Sequence, residues 1–121
     1  MTTTAEQKIP ASQIDVNALL ERTVRDDASD LHYTVGLPPV LRIYGKLFPL
    51  EEYELLEPQD TERIAREMTS EKQWNQFVEE KELDFSIGRS KLARFRVNLF
   101  WQRGSVAIAL RSIPFNIPTL E

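Results

Sequence analysis

Arginine is the residue type in this sequence best suited to chemistry, and four arginines lie in a stretch that contains no acid. Residues 93–114 read ARFRVNLFWQRGSVAIALRSIP and hold Arg94, Arg96, Arg103 and Arg111. A guanidinium presents a planar fork of N–H donors that matches a phosphate or a carboxylate. An acid-free group of such forks is therefore a candidate anion-binding site.

The charge of the chain is unevenly distributed. The 121 residues carry a net charge of −4, yet residues 89–111 contain six bases and no acid. Residues 51–84 contain twelve acids and four bases, which is typical of a solvated helical surface. The basic segment therefore calls for a partner of opposite charge.

Composition excludes several classes of function. The chain has no cysteine and one histidine, so thiolate sites, disulfides and histidine-rich metal sites are excluded. No apolar run has the length of a membrane span, and no signal-peptide core follows Met1, so we expect a cytoplasmic protein without membrane insertion. A chain of this length and ordinary composition is expected to form a single domain.

The first half of the chain predicts one helix followed by three strands. Asp15 is suited to cap an amphipathic helix over 16–26, whose apolar residues recur at helical spacing. Alternating β-rich residues predict a strand over 31–35. Residues 40–50 then predict a second strand, a turn at Gly45-Lys46 and a short third strand.

The second half predicts two helices and then three strands. The helices begin at Asp60 and at Ser70, where Ser70 and Gln73 can cap each other reciprocally. A strand over 82–87 and two strands within 93–114 follow. Strands separated by packed helices indicate an α+β domain, with an antiparallel sheet covered by helices on one face.

The last two strands form a hairpin whose register follows from its apolar residues. A two-residue turn at Arg103-Gly104 brings the large apolar side chains to one face, Trp101 among them, whereas a three-residue turn would expose Ile108. The expected cross-strand pairs are Trp101 with Val106, Leu99 with Ile108, and Val97 with Leu110.

This register has a consequence for the arginines. It places Arg96 directly opposite Arg111, with Arg94 on the same face and small Ala107 and Ala109 leaving open space beside them. Like charges at opposed positions are unfavourable. Two bidentate donors in such an open patch are suited to a phosphate or a carboxylate.

Other interpretations of these residues remain open at the level of residues alone. The arginines can pair with acids of the same domain or lie in water, and Asp84, on the polar face of its strand, is one such partner. His32 is expected to be structural, hydrogen-bonded near Asp30. Aromatic residues beside the arginine hairpin can also stack nucleic-acid bases, but the net negative charge argues against a nucleic-acid partner.

Three segments resemble the N-terminal domain of the PilT-type ATPases, the retraction motors of type IV pili and twitching motility. In order along the chain they are ASDLHYTVGLPPVLRIYGKL (28–47), LDFSIGRSKLARFRVNLFWQRGSVAIALRSIP (83–114) and IPTLE (117–121). The resemblance covers about residues 14–121. The stretch TVGLPPVLRIYGKL favours the retraction branch over the related extension and type II secretion ATPases.

The resemblance implies a PAS-like N-terminal domain joined by a linker to a RecA-like ATPase domain. It implies a homohexamer in which each N-terminal domain packs on a neighbour's ATPase domain, at the inner face of the inner membrane beside the pilus platform protein. ATP, with Mg, would lie in the cleft between the two domains of one subunit. ATP turnover would then be coupled to pilus disassembly through motion of the N-terminal domain.

The resemblance also assigns residues. Arg96, in RFRVN, and Arg111, in ALRSIP, occupy the positions that resemble the family's phosphate-reaching arginines, and Arg94 and Arg103 are weaker candidates for contacts to phosphate or to a neighbour. None of the four glycines lies in a G-x-x-x-x-G-K-[ST] loop, so we expect no hydrolysis and no bound cofactor from this chain alone.

The domain organisation expected from these patterns has three parts. Residues 1–13 are a disordered lead-in, 14–114 form the PAS-like domain, and 115–121 begin a linker to the ATPase domain. The alternative is a stand-alone PAS-like module that senses a small anion or a nucleotide.

Overall fold

Three helices and six strands make up the part of the chain that the computed structural model describes, residues 8–88 and 93–114. Their order confirms the predicted sequence of one helix, three strands, two helices and three strands. The elements are α1 Val16–Arg25, β1 Asp30–Tyr33, β2 Val40–Ile43, β3 Lys46–Pro49, α2 Pro58–Met68, α3 Glu71–Glu80, β4 Glu82–Ile87, β5 Ala93–Gln102 and β6 Ser105–Pro114.

The six strands form one sheet in the order β3-β2-β1-β6-β5-β4, and every neighbouring pair is antiparallel. Two local groups of strands, β1 to β3 and β4 to β6, are joined at the centre by the pairing of β1 with β6. That central pairing connects residues about 80 positions apart in the chain. The predicted α+β class with an antiparallel sheet is confirmed.

All three helices pack against the same face of this sheet. Helix α2 lies on β6, α3 lies on β4, and α1 contacts both β1 and β6. The strands alternate, so that one set of side chains enters the core below the helices and the other set faces outward. The largest fully buried side chains are Tyr33, Phe77, Phe95, Leu19, Leu20, Leu31, Leu41, Leu56, Ile64, Leu99, Ile108 and Leu110.

The helix starts follow local capping chemistry, with one difference from the prediction. Asp15 accepts the Ala18 N–H at 3.1 Å and begins α1, and the capping box of Ser70 and Gln73 begins α3, both as predicted. Helix α2 begins at Pro58 rather than at Asp60. Asp60 is its third residue, and its carboxylate accepts the backbone N–H of Glu57 at 2.9 Å.

Two tight turns connect strands of the sheet. Arg103 and Gly104 have φ of 54° and 80°, so the predicted two-residue turn between β5 and β6 is confirmed. The turn between β2 and β3 is Tyr44-Gly45, not Gly45-Lys46, because Lys46 already pairs with Ile43. Tyr44 and Gly45 likewise have positive φ, 50° and 79°, which suits the twist of a two-residue hairpin.

The segment before α1 contacts the domain within the described residues. Ile9 donates its N–H to the Glu52 carbonyl at 2.7 Å, and Ala11–Gln13 form a short 3-10 helix in which Ala11 is buried. Packing therefore extends at least to Ile9, ahead of residue 14. Residues 1–7, the rest of the predicted lead-in, and the predicted linker 115–121 lie outside the described residues.

An aromatic stack ties α3 to the end of β5. The Phe77 ring lies 5.4 Å from the Trp74 ring and 5.6 Å from the Trp101 ring, measured between centroids. Arg66 lies over Trp74 and Lys81 over Trp101, so the stack has a cation at each end. Trp101 is on the apolar face as predicted, but it is 36% exposed at the margin of the core.

Truncation of the centre of this stack should destabilise the domain strongly. Phe77→Ala removes a fully buried ring with two aromatic neighbours, and we expect a loss of about 3–5 kcal/mol in the free energy of unfolding. Chemical denaturation measures this loss. Val78→Ala on the same helix is the matched control, because Val78 is 43% exposed and should change stability by less than about 0.5 kcal/mol. Equal losses of unfolding free energy in Phe77→Ala and Val78→Ala would contradict a central role of Phe77 in the core.

Candidate anion-binding site

A row of polar side chains crosses five strands on the face of the sheet opposite the helices. Antiparallel registers place its members side by side, and we call them the cross-sheet row: Arg42 on β2, Asp30 on β1, Arg111 on β6, Arg96 on β5 and Ser86 on β4. The predicted pairing of Arg96 with Arg111 is confirmed. Two cations therefore lie side by side near the middle of this sheet face.

The alternation of the strands explains why these arginines face outward. Arg96 lies between Phe95 and Val97, which are both fully buried. Arg111 follows Leu110, which is buried as well. The side chains of Arg96 and Arg111 are 67% and 70% exposed. Burial of the apolar neighbours therefore fixes the arginine backbones while the guanidinium groups stay in water.

The arginine pair is not acid-free in three dimensions. Arg96 Nε lies 3.8 Å from Asp84 Oδ1, and Arg111 Nε lies 3.5 Å from Asp30 Oδ2. The strands that carry the arginines contain no acid, but their neighbours β4 and β1 each supply one. The sequence indicated Asp84 as a possible partner of the arginines. It did not indicate Asp30, because no pattern of neighbouring residues predicts that β1 pairs with β6.

A shallow depression lies between the two arginines and their carboxylates. Asn98 and Ala109 are opposed on β5 and β6 and form part of its lining. The small side chain of Ala109 leaves space there, as the sequence predicted. Ala107 was expected to do the same, but it is buried and lines a separate depression beside Arg103.

The other two candidate arginines do not join the pair. The Arg94 Nη2 donates to Ser86 Oγ at 3.2 Å, and its guanidinium lies against Gly88 at the end of β4. Arg103 is in the turn at the far end of the hairpin, seven residues from Arg96, or about 23 Å along an extended strand. Its depression is lined by Thr34, Val35, Leu37, Gln102, Ser105, Val106 and Ala107.

The arrangement suits anions rather than metal ions. The described residues contain no group of three or more histidine or acidic side chains placed to hold a metal ion. No helix in the described ranges is long and apolar enough to cross a membrane. Two adjacent exposed guanidinium groups offer planar N–H donors in a geometry that matches phosphate oxygens.

His32 lies in the row next to the cross-sheet row, opposite Ala109 on β6 and Val40 on β2. Half burial of the ring lowers the pKa of His32 below its usual 6.5. The positive charge of Arg42 acts in the same direction, and the carboxylate of Asp30 opposes it. Asp30 accepts a hydrogen bond from Ser29 Oγ at 2.6 Å, and its influence on His32 is one of charge. His32 is therefore held neutral at physiological pH.

Acidification should destabilise the domain through His32. The His32 imidazole binds a proton more readily in the unfolded chain than in the folded one. The stability associated with neutral His32 is therefore fully present above pH 6.5 and is lost as the pH falls towards the lowered pKa of His32. Thermal unfolding of wild type and His32→Gln from about pH 7.5 to about pH 5 measures the effect. The wild type should lose more of its melting temperature than the variant. If the melting temperatures of wild type and His32→Gln fell in parallel with pH, the lowered pKa of His32 would be contradicted.

Comparison with known proteins identifies close relatives of the domain. No family model matches the chain. The type IV pilus ATPase PilU of Pseudomonas aeruginosa is 36% identical over 108 residues, which are 89% of this chain and 28% of PilU. The type IV pilus retraction ATPase PilT of the same organism is 34% identical over 108 residues, again 89% of this chain and 31% of PilT. The chain thus spans less than a third of the length of these relatives.

Solved structures share the fold. In a crystal structure of the pilus retraction motor PilT with bound ADP, the matching region is 40% identical in sequence to this chain and superposes with a TM-score of 0.80. The match covers 88% of this chain and 31% of the PilT chain. The DotB ATPase of Legionella pneumophila superposes with a TM-score of 0.67 at 24% identity, over 84% of this chain and 30% of DotB, which shows a common fold alone. The resemblance predicted from the three sequence segments is confirmed over nearly nine-tenths of the chain.

Proposed function

We propose that this chain, a PilT-type N-terminal domain, supplies Arg96 and Arg111 to the phosphates of ATP bound on a C-terminal ATPase domain of the same protein. One observation carries the proposal: the two arginines are a cross-strand pair on the helix-free face of the sheet. Among the described residues, the side chains of both arginines are mostly exposed. A second domain that presents a nucleotide can therefore approach the arginine pair without disturbing the helices.

The chemistry of the pair suits phosphoryl transfer. Arg96 and Arg111 can each donate two parallel N–H bonds to phosphate oxygens. Negative charge is spread over the transferred phosphoryl group in the transition state, where positioned arginines and Mg²⁺ stabilise it. In this proposal the ATPase domain holds ATP and Mg²⁺, while this domain contributes the two cations from outside.

The proposal extends to the assembly of the motor. Six copies would form a homohexamer in which each N-terminal domain packs on the ATPase domain of its neighbour, in the cytoplasm at the inner face of the inner membrane. Closure of the sheet face on ATP would move the domain relative to that neighbour. ATP turnover would thereby be coupled to pilus disassembly at the platform protein.

Loss of either arginine should reduce turnover without unfolding the protein. In the full-length protein that carries this domain, we expect Arg96→Ala and Arg111→Ala each to lower kcat for ATP about 10²-fold or more, because each removes charge that stabilises the transition state. Both side chains are mostly exposed, so the melting temperature should change little. Steady-state ATP hydrolysis and thermal unfolding, measured on the same preparations, test both statements.

The matched control is Arg103→Ala, an arginine of the same hairpin that lies at its far end. It should retain wild-type kcat. Unchanged turnover in Arg96→Ala and Arg111→Ala would refute the proposed role. Tight nucleotide binding by residues 1–121 alone, lost in Arg96→Ala, would instead favour the stand-alone anion-sensing module.

A further inference from the structure

We propose that the two carboxylates beside the arginine pair have opposite roles: Asp30 is a positioning residue that holds Arg111 for phosphate, and Asp84 is a displaceable counter-ion that competes with phosphate for Arg96. This inference rests on the proposed function and deepens it. Asp30 would keep Arg111 in place, and Asp84 would release Arg96 when a nucleotide phosphate binds.

Asp30 is built into the sheet. Its side chain is only 11% exposed, and Ser29 Oγ donates to its Oδ1 at 2.6 Å. Its second oxygen, Oδ2, lies 3.5 Å from Arg111 Nε. In the register of the sheet Asp30 stands between Arg42 and Arg111, while Arg42 Nη1 donates to the Gly45 carbonyl at 3.1 Å. Burial and the hydrogen bond from Ser29 therefore restrain the Asp30 carboxylate beside Arg111.

Asp84 is held far more loosely. Its side chain is 55% exposed, and its contact with Arg96 Nε is long, 3.8 Å. Asp84 lies opposite Asn98 and lines the depression between the two arginines as well as a second depression on the Arg94 side of Arg96. An anion that enters either depression therefore meets the negative charge of Asp84.

The difference in burial decides which ion pair exchanges its partner. A phosphate bound between Arg96 and Arg111 repels both carboxylates, and the side chain with solvent available can turn away at small cost. Asp84 has that freedom, while Asp30 is held by its hydrogen bond and its burial. Binding of phosphate would thus release Arg96 from Asp84 and leave Arg111 on its anchor.

Neutralising each carboxylate should therefore have opposite effects in the full-length protein. Asp84→Asn removes the competitor and is expected to lower KM for MgATP about two- to fivefold, the range of an exposed ion pair. Asp30→Asn loosens Arg111 and is expected to lower kcat about tenfold, since a shifted group loses much of its effect. Steady-state ATP hydrolysis separates kcat from KM in both variants.

Glu82→Gln is the matched control for Asp84→Asn, because Glu82 is an exposed acid on the same face of β4, two residues away. It should leave KM unchanged. Each effect should also depend on its arginine, so Asp84→Asn should lower KM much less in an Arg96→Ala background, and Asp30→Asn should lower kcat much less in an Arg111→Ala background. If either acid had only a structural role, its substitution would change KM or kcat by the same factor with and without its arginine.

Further outcomes decide between the alternatives. If Asp84→Asn raises KM, leaves it unchanged or matches Glu82→Gln, the competitor role is refuted, even where Arg96→Ala impairs turnover and so supports the proposed function. If Arg96→Ala and Arg111→Ala both leave turnover intact, the proposed function itself is refuted, and the roles of the two carboxylates fall with it. Should Asp30→Asn prevent folding, Ser29→Ala tests the same anchor, because it removes the 2.6 Å hydrogen bond to Asp30 together with a longer 3.3 Å contact to the Arg42 carbonyl. Wild-type kcat in that variant would refute the positioning role.

Discussion

The register of the hairpin between β5 and β6 is the constraint on which the rest of the structure depends. Its two-residue turn brings Val97 and Leu99 opposite Leu110 and Ile108, all fully buried. Burial of each such side chain is worth about 1.5–3 kcal/mol. Opposed like charges cost about 0.2–1 kcal/mol. The core therefore determines the register, and the same register sets Arg96 and Arg111 side by side.

The features of the structure that depend on nearby residues were readable from the sequence. Apolar alternation and the Arg103-Gly104 turn specified the hairpin register, and the cap at Asp15 specified the start of α1. Where two local signals competed, the prediction failed: Pro58 began α2 ahead of Asp60, because proline is favoured in the first turn of a helix. The pairing of Arg96 with Arg111 was thus predictable without any knowledge of the whole fold.

The environment of the pair was not predictable, because it depends on contacts between distant residues. Asp30 reaches Arg111 only because β1 pairs with β6, and no local pattern specifies that pairing. Arg94 shares a strand face with Arg96, yet its rotamer carries it to Ser86 and away from Arg111. An acid-free segment of sequence therefore became, in the sheet, a pair of cations with one fixed and one loosely held carboxylate.

In the proposed function the hairpin presents Arg96 and Arg111 to the phosphates of a bound nucleotide. The decisive measurement is a crystal structure of the full-length protein with Mg²⁺ and a non-hydrolysable ATP analogue. Both guanidinium groups should lie within about 2.7–2.9 Å of phosphate oxygens, the range of charge-assisted hydrogen bonds. Arg111 should stay beside Asp30, while Arg96 should have left Asp84. A bound analogue whose phosphates contact neither arginine, with both arginines still paired to their carboxylates, would show that the hairpin does not bind the nucleotide.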